Sequence, residues 1–288
     1  MKMHDKCLPC VVNQVIKVAN ITGMDTKAKE ELLREVFAYL SKMDFEITTP
    51  EIIGEVFGVI KKHANNPDPY KETRNHYNTL FLKLLPEFEK KIEQAPNAFQ
   101  LAVRYAIVGN IIDFNPIHNT LLEDIYDCFD KMEQLELAID DSRMLMEDIL
   151  SAKVLLYLGD NCGEICMDKL LLKKIKEQNP DVRLLFGVRG EPVVNDSIAE
   201  DAYAVGIDEY AEIIDNGDGS LGTVLKRTST EFKDAYRQAD VIIAKGQANY
   251  ECLSEENKNI YFLLMTKCDV IAKDINVEEN KMICMKNN

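Results

Sequence analysis

The apolar run Val154 to Leu158, stopped at once by Gly159-Asp160-Asn161, restricts the possible folds of this chain more than any other stretch. A run that short and continuous predicts a strand buried on both faces. Helical sequence resumes through Met167-Asp168-Lys169-Leu170-Leu171-Leu172. Further short runs follow at Val182 to Phe186, Glu212 to Asp215, Val241 to Ala244 and Val270 to Ala272. Between them lie helix-like segments at Gly163 to Gln178, Asp196 to Val205, Thr223 to Gln238 and Asn249 to Glu256. Strand and helix alternating at this spacing predict an α/β fold: a Rossmann-like, three-layer α/β/α sandwich with a mainly parallel sheet.

Before residue 150 the period is helical. Cys10, Val11, Gln14, Val15 and Val18 recur on one face, as do Leu32, Leu33, Val36, Phe37 and Leu40 after a cap at Asp25 or Thr26. Thr48-Thr49-Pro50-Glu51 starts another helix, with proline in its first turn. Asn65-Asn66-Pro67-Asp68-Pro69 breaks the pattern; helix returns from about Tyr70 to Leu85 and again after Pro86 and Ala98. No strand is predicted before residue 153. The expected organisation is an all-helical domain, 1–150, packed on an α/β/α domain, 151–288.

The 288 residues suffice for a large core, and the net charge of -15 argues against nucleic acid or an anionic membrane as partner. It leaves room for a small anionic metabolite in a locally positive pocket. No apolar run reaches the roughly 18 residues that cross a bilayer, and the opening residues form no secretory segment, so a soluble, cytoplasmic protein is expected. The oligomeric state is not legible. Eight cysteines are too few for a disulfide scaffold at this length, and most are expected reduced.

In open parallel sheets ligands bind beyond the carboxyl ends of the strands. Asp160 and Asn161 fall there, as an anionic oxygen beside a neutral carbonyl oxygen, a pairing that suits Mg²⁺ or Mn²⁺ better than Zn²⁺; equally, they cap the next helix. Asp196, after the following strand, either caps a helix or shares a metal with Asp160 and Asn161. Lys245 ends another strand and precedes Gly246, which makes an anion cradle with the next helix start, or else a lysine snorkelling at the sheet edge. Arg189 is a further anion-binding candidate. In the helical half, Asn110 and Asp113 either form a helix end and turn or close the site from the other domain.

Gly217-Asp218-Gly219-Ser220-Leu221-Gly222 spells G-x-G-x-x-G but follows the third strand, and the spaced acid, Asp240, precedes a strand instead of ending one. This misfit speaks against a nicotinamide or flavin and for a flexible loop near the pocket. No P-loop or G-x-S-x-G elbow occurs, and the four histidines have no metal-binding spacing. Cys7-Leu8-Pro9-Cys10 is half of a zinc motif and lacks the preceding strand of a thioredoxin-like site, so Cys7 and Cys10 stand as structural or redox candidates.

Taken together, Cys7-x-x-Cys10-x-x-x-Gln14, Asp68-Pro69-Tyr70, Gly109-Asn110-x-x-Asp113, Gly159-Asp160-Asn161-x-Gly163-Glu164, Asn195-Asp196, Lys245-Gly246-x-x-Asn249-Tyr250-Glu251 and Lys267-Cys268 resemble the metal-dependent damage-control phosphatases, in the archaeal and bacterial branch with an N-terminal cysteine pair. The resemblance spans essentially the whole chain. It implies a divalent metal (Mg²⁺, Mn²⁺, Co²⁺ or Ni²⁺) on Asp160, Asn161 and Asp196, and hydrolysis of small phosphomonoesters such as sugar phosphates. Asp160, Asp196 and Lys245 would be catalytic. Lys245, Gly246, Asn249, Arg189, Asn110, Asp113 and Glu164 would serve the phosphate or substrate. Cys162 stands where alanine is expected and suggests sensitivity to oxidation. A non-catalytic sugar-phosphate or nucleotide-binding module, and a thiol or zinc protein centred on Cys7 and Cys10, are the alternatives.

Overall fold

The computed structural model describes residues 1–109, 122–133 and 135–287. The first part is helical: α1 (Leu8–Ile21), α2 (Thr26–Leu40), α3 (Thr49–Ala64), α4 (Lys71–Gln94), α5 (Ala98–Val108) and α6 (Leu122–Glu133). Local chemistry sets their starts. Asp25 accepts from the Ala28 amide at 2.8 Å and Asn97 from that of Gln100 at 3.1 Å; Thr48 caps α3, which carries Pro50 in its first turn. α4 runs unbroken through Pro86, joining the stretches read as Tyr70 to Leu85 and Pro86 to Gln94 into one helix.

The sheet part follows as β1 (Ile139–Asp140), α7 (Ser142–Ser151), β2 (Val154–Leu158), α8 (Glu164–Gln178), β3 (Arg183–Val188), α9 (Ala199–Ala204), β4 (Glu212–Asp215), α10 (Thr230–Gln238), β5 (Val241–Lys245), α11 (Gly246–Leu253), β6 (Ile260–Met265), α12 (Asp269–Ile275) and β7 (Met282–Lys286). Strand order is β1-β7-β6-β5-β2-β3-β4, parallel throughout except between β6 and β7. From β2 the chain moves outward through β3 and β4, then returns to the other flank of β2 as β5. β2 therefore lies at the point where winding reverses, which places the loops after β2, β3 and β5 around one crevice.

Three readings of the sequence are corrected. A strand does precede residue 153: β1 is only two residues long and pairs with β7, and with α7 it joins the sheet layer from about residue 139. Val270 to Ala272 is helical, because Cys268 provides an extended N-cap and Asn276 a left-handed C-cap around that β-branched run. The strands at that end of the sheet are instead β6 and β7. Finally, α10 begins at Thr230; residues 216–229 form a loop.

One sheet face packs against α8, with α4 and α5 above it, in a core running from Phe81, Phe88 and Tyr105 through Ile165 and Leu172 to Tyr157 and Phe186. The other face buries Phe232, Leu253 and Ile271 of α10 to α12. α1 to α3 close on Val11, Val15, Leu32, Val36 and Phe57, and Val193 from the loop after β3 enters that cluster. Among the described residues no helix is long and apolar enough to cross a membrane.

Candidate active site

β2 delivers Gly159 and Asp160 to the crevice. A side chain on Gly159 would strike the Phe186 ring, so only glycine lets β2 end this close to β3. The next residues pair with the loop after β3. Asn161 and Asp196 form an antiparallel bridge, and the Ser197 amide donates to the Asp160 carbonyl at 2.8 Å. Asp160 and Asp196 are thereby brought to one buried place, as their positions after neighbouring strands imply. Val194, just before, adopts a left-handed backbone with φ 47°, a strained state for a β-branched residue at the loop that presents Asp196.

From the other flank, β5 ends in Lys245, and Gly246 turns into α11 with φ +78°. A Cβ on Gly246 would overlap the Asp160 carboxylate, so this carboxyl rests directly on backbone. Asn249 ties the loops together: its amide donates to the carbonyls of Lys245 at 2.7 Å and Gly159 at 3.3 Å and accepts from Thr223 Oγ1 at 2.8 Å. Gly222, at φ +63°, packs on the Ala248 carbonyl, and its amide donates to Asp196. The G-x-G-x-x-G segment thus lies at the pocket. It is pinned by the Asn216 side chain, which accepts from the amides of Gly190 and Asp218 at 2.9 Å.

The charges are unevenly matched. Arg189, 2% exposed, donates from Nε to Asp196 Oδ2 at 2.7 Å and lies 3.8 Å from Asp160 Oδ1. Lys245, wholly buried, bonds Glu164 and, at 2.6 Å, Asp168 Oδ1, which also accepts from the Tyr157 hydroxyl at 2.7 Å. Four buried carboxyls (Asp160, Glu164, Asp168 and Asp196) therefore face two buried cations. Burial, with Asp196 and Glu164 close by, pushes the Asp160 carboxyl well above the usual range; burial also raises Asp196 against the pull of Arg189. Burial and Glu164 push Asp168 up to about 6 despite the attraction of Lys245. Burial pulls Lys245 down, but Asp168 and Glu164 outweigh it and the lysine titrates above its ordinary value.

Whether the residues fit a divalent cation follows from this balance. The excess of two negative charges is what one such ion offsets, and the donors are hard oxygens. The Asn161 amide nitrogen donates to Asp160 Oδ2 at 2.9 Å and Glu164 Oε2 at 3.2 Å, so a neutral N–H donor bridges these acids and leaves their charge unbalanced. Among the described residues no three His, Cys, Asp or Glu side chains form a ready-made cage; the candidate set is two acids and an amide. The residues fit.

Asn110 and Asp113 lie outside the described residues; Gly109, which ends α5, abuts Glu164. Cys162 is 1% exposed, and burial and Asp201 push its thiol far up, against the oxidation sensitivity expected of it. Asp168 and Tyr157 were missed, although Glu164 and Asp168 stand one turn apart on α8, a spacing that could have paired them. Also missed was a buried network beneath the pocket. Arg74 of α4 grips Asp68 at 2.6 and 2.7 Å and Asp201 at 2.9 Å, while Asn78 accepts from the Gly163 amide at 2.6 Å. Gln14 donates to the Tyr70 hydroxyl at 2.8 Å, which gives the Gln14 and Asp68-Pro69-Tyr70 motifs a structural role.

The fold and site define a doubly wound α/β protein with an acid-rich crevice at its switch point, overlaid by helices. Residues 3–283 match the family described as the damage-control phosphatase ARMT1-like domain, and the chain belongs to that family. A damage-control phosphatase of Pyrococcus horikoshii is 34% identical over 289 residues, covering 100% of this chain and 99% of the relative. Another, from Archaeoglobus fulgidus, is 32% identical and covers 98% of each chain. The crystal structure of a DUF89 family protein from Pyrococcus horikoshii superposes with a TM-score of 0.93 at 32% identity, each chain covered in full.

Proposed function

We propose that the chain hydrolyses phosphomonoesters of small metabolites, sugar phosphates among them, with a divalent cation (Mg²⁺, Mn²⁺, Co²⁺ or Ni²⁺) held by Asp160, Asn161 and Asp196. The observation that carries this is the excess of buried carboxyls over buried cations at the ends of β2, β3 and β5. Such a cation, when bound, polarises phosphoryl oxygens and acidifies water. Arg189 fixes Asp196 and, through the Gly159 carbonyl at 3.2 Å, the end of β2. Lys245 bonds Glu164 and Asp168 and holds them side by side. The free N–H groups opening α11 beside Gly246 serve as donors toward a phosphate. Attack by a water held beside Asp160 and Asp196 is the route favoured here over direct attack by aspartate. An open cavity of about 510 Å³ between α3 and the loops after β3 and β4, lined by Glu55, Lys61, Glu191 and Arg227, is the candidate space for the organic part of the substrate.

The test is phosphate release from a panel of sugar phosphates and p-nitrophenyl phosphate, comparing metal-free protein with each cation and with Asp160→Ala. Metal-dependent release abolished by Asp160→Ala is expected. No release under any cation, with melting temperature still raised by a sugar phosphate, would instead make the crevice a binding site without turnover.

A further inference from the structure

We propose that Cys7, Cys10 and Cys268 form a thiol–disulfide exchange site beside the pocket, in which Cys7 and Cys10 close into a disulfide by exchange with a low-molecular-weight disulfide of the glutathione type. The sequence shows the pair as an isolated C-x-x-C; the structure adds the third thiol. Cys7 is the N-cap of α1 and Cys10 lies one turn on, on the same side, with Pro9 between them. Cys268 is the N-cap of α12. The residues flanking Cys7 and Cys268 are joined: Lys6, just before α1, forms an ion pair with Asp269 in the first turn of α12. Partial burial and the neighbouring Cys7, Cys268 and Glu251 all push the Cys10 thiol up, which places the three sulfurs and one acid in a single electrostatic neighbourhood.

Access separates this group from most other thiols. Cys10 is exposed and Cys7 and Cys268 are half-buried, whereas Cys162, Cys166 and Cys284 are buried. An open cavity of about 330 Å³, lined by His4, Lys6, Asp269 and Lys273, lies at the Lys6–Asp269 ion pair, whose two residues are the chain neighbours of Cys7 and Cys268. Exchange proceeds through a thiolate and so needs thiols that solvent can reach.

In the first step the Cys7 thiolate attacks one sulfur of the small disulfide, forming a mixed disulfide and releasing one small thiolate. Cys10, after losing its proton to solvent, attacks the Cys7 sulfur, forming the Cys7–Cys10 bond and releasing the second small thiolate; both leaving thiolates take up protons. Two protein thiols are oxidised and one small disulfide is reduced to two thiols. Gln247 connects this site to the pocket: its Nε2 donates to Cys268 Sγ at 3.8 Å, its Oε1 accepts from the Lys267 amide at 2.5 Å, and it follows Gly246, on which Asp160 rests.

The reduced full-length protein would be equilibrated in a series of reduced-to-oxidised glutathione ratios, alkylated, and mapped by peptide mass. The exchange is read without any phosphatase assay, so its failure and that of the proposed function are separable. A Cys7–Cys10 linked peptide appearing as a two-electron transition is expected, with Cys166 and Cys284 still reduced. Cys10→Ser should trap one glutathione on Cys7, and Cys268→Ser should move the midpoint ratio at least threefold. Full alkylation of Cys7 and Cys10 at the most oxidising ratio, in protein with an unchanged circular dichroism spectrum, would overturn the proposal. So would adducts spread equally onto Cys252, or zinc or iron bound stoichiometrically and shielding the three thiols until chelated.

Discussion

Lys245 Nζ and Asp168 Oδ1 lie 2.6 Å apart where neither meets solvent, and Tyr157 donates to the same carboxylate oxygen while Asp168 Oδ2 has no hydrogen-bond partner among the described residues. The carboxyl is pushed up to about 6. Between roughly pH 4 and pH 6 the folded chain therefore keeps a proton that the unfolded chain has released, and stability falls as pH rises across that window. Denaturant unfolding in chelator should show a more stable protein at pH 5 than expected from its pH 7 value, and Asp168→Asn should flatten the slope. An unaltered slope in Asp168→Asn would remove this residue as its source.

Replacing the cation is expected to cost far more. Lys245→Met leaves Glu164 and Asp168 buried without their partner, a loss of about 3–5 kcal/mol at neutral pH. Part of it should return toward pH 5 as Asp168 protonates. Equal unfolding free energies for Lys245→Met and the parent at pH 8 would refute the pairing as a contributor to stability.

Asp160 presents the opposite case. It sits among Asp196 and Glu164, so Asp160→Asn relieves repulsion, and the metal-free protein should become more stable by about 1 kcal/mol. The rise in melting temperature that Mn²⁺ or Mg²⁺ gives the parent should disappear in the same variant. The two effects have opposite signs in one scanning experiment.

Gly246→Ala tests the close approach of backbone and carboxylate. A methyl group there both occupies the space of the Asp160 carboxyl and demands a left-handed backbone from alanine. The expected cost is about 1–2 kcal/mol in stability and at least tenfold in phosphate release, a loss that excess cation does not restore.

Arg74→Lys should not rescue Arg74→Ala. The guanidinium spans Asp68 and Asp201 with three hydrogen bonds that an ammonium cannot reproduce. Both variants are expected to lose about 3 kcal/mol or more by chemical denaturation. Near-parental stability for Arg74→Lys would show that charge alone suffices.

The sequence discloses those parts of the molecule that follow from local pattern. β2, β4 and α8 lie where apolar runs and helical spacing place them, and Asp160, Asn161, Asp196 and Lys245 stand out in the sequence because each falls at or beyond the carboxyl end of a strand. β7 is not legible, since Met282-Ile283-Cys284-Met285-Lys286 resembles a frayed tail until it pairs antiparallel with β6. Val270 to Ala272 misleads because β-branched residues favour strands locally while the caps at Cys268 and Asn276 decide for helix. Tyr157, Asp168, Arg74 and Asp201 escape notice because their partners are distant in sequence, up to 127 residues between Arg74 and Asp201. Only the packing of α4 on α9, and of α8 on the sheet, brings such groups together.

The amide of Asn249 joins carbonyls and a hydroxyl from residues 159, 245 and 223, separated from it by as many as 90 positions. Contacts of such long sequence separation close late, because the intervening chain must first be ordered. A nascent chain carries Asp160, Asn161 and Asp196 well before it carries the residue that aligns the loops around them. Until synthesis passes position 249, the bridge between Asn161 and Asp196 can form, but nothing yet ties the loop after β4 to the ends of β2 and β5 through this amide.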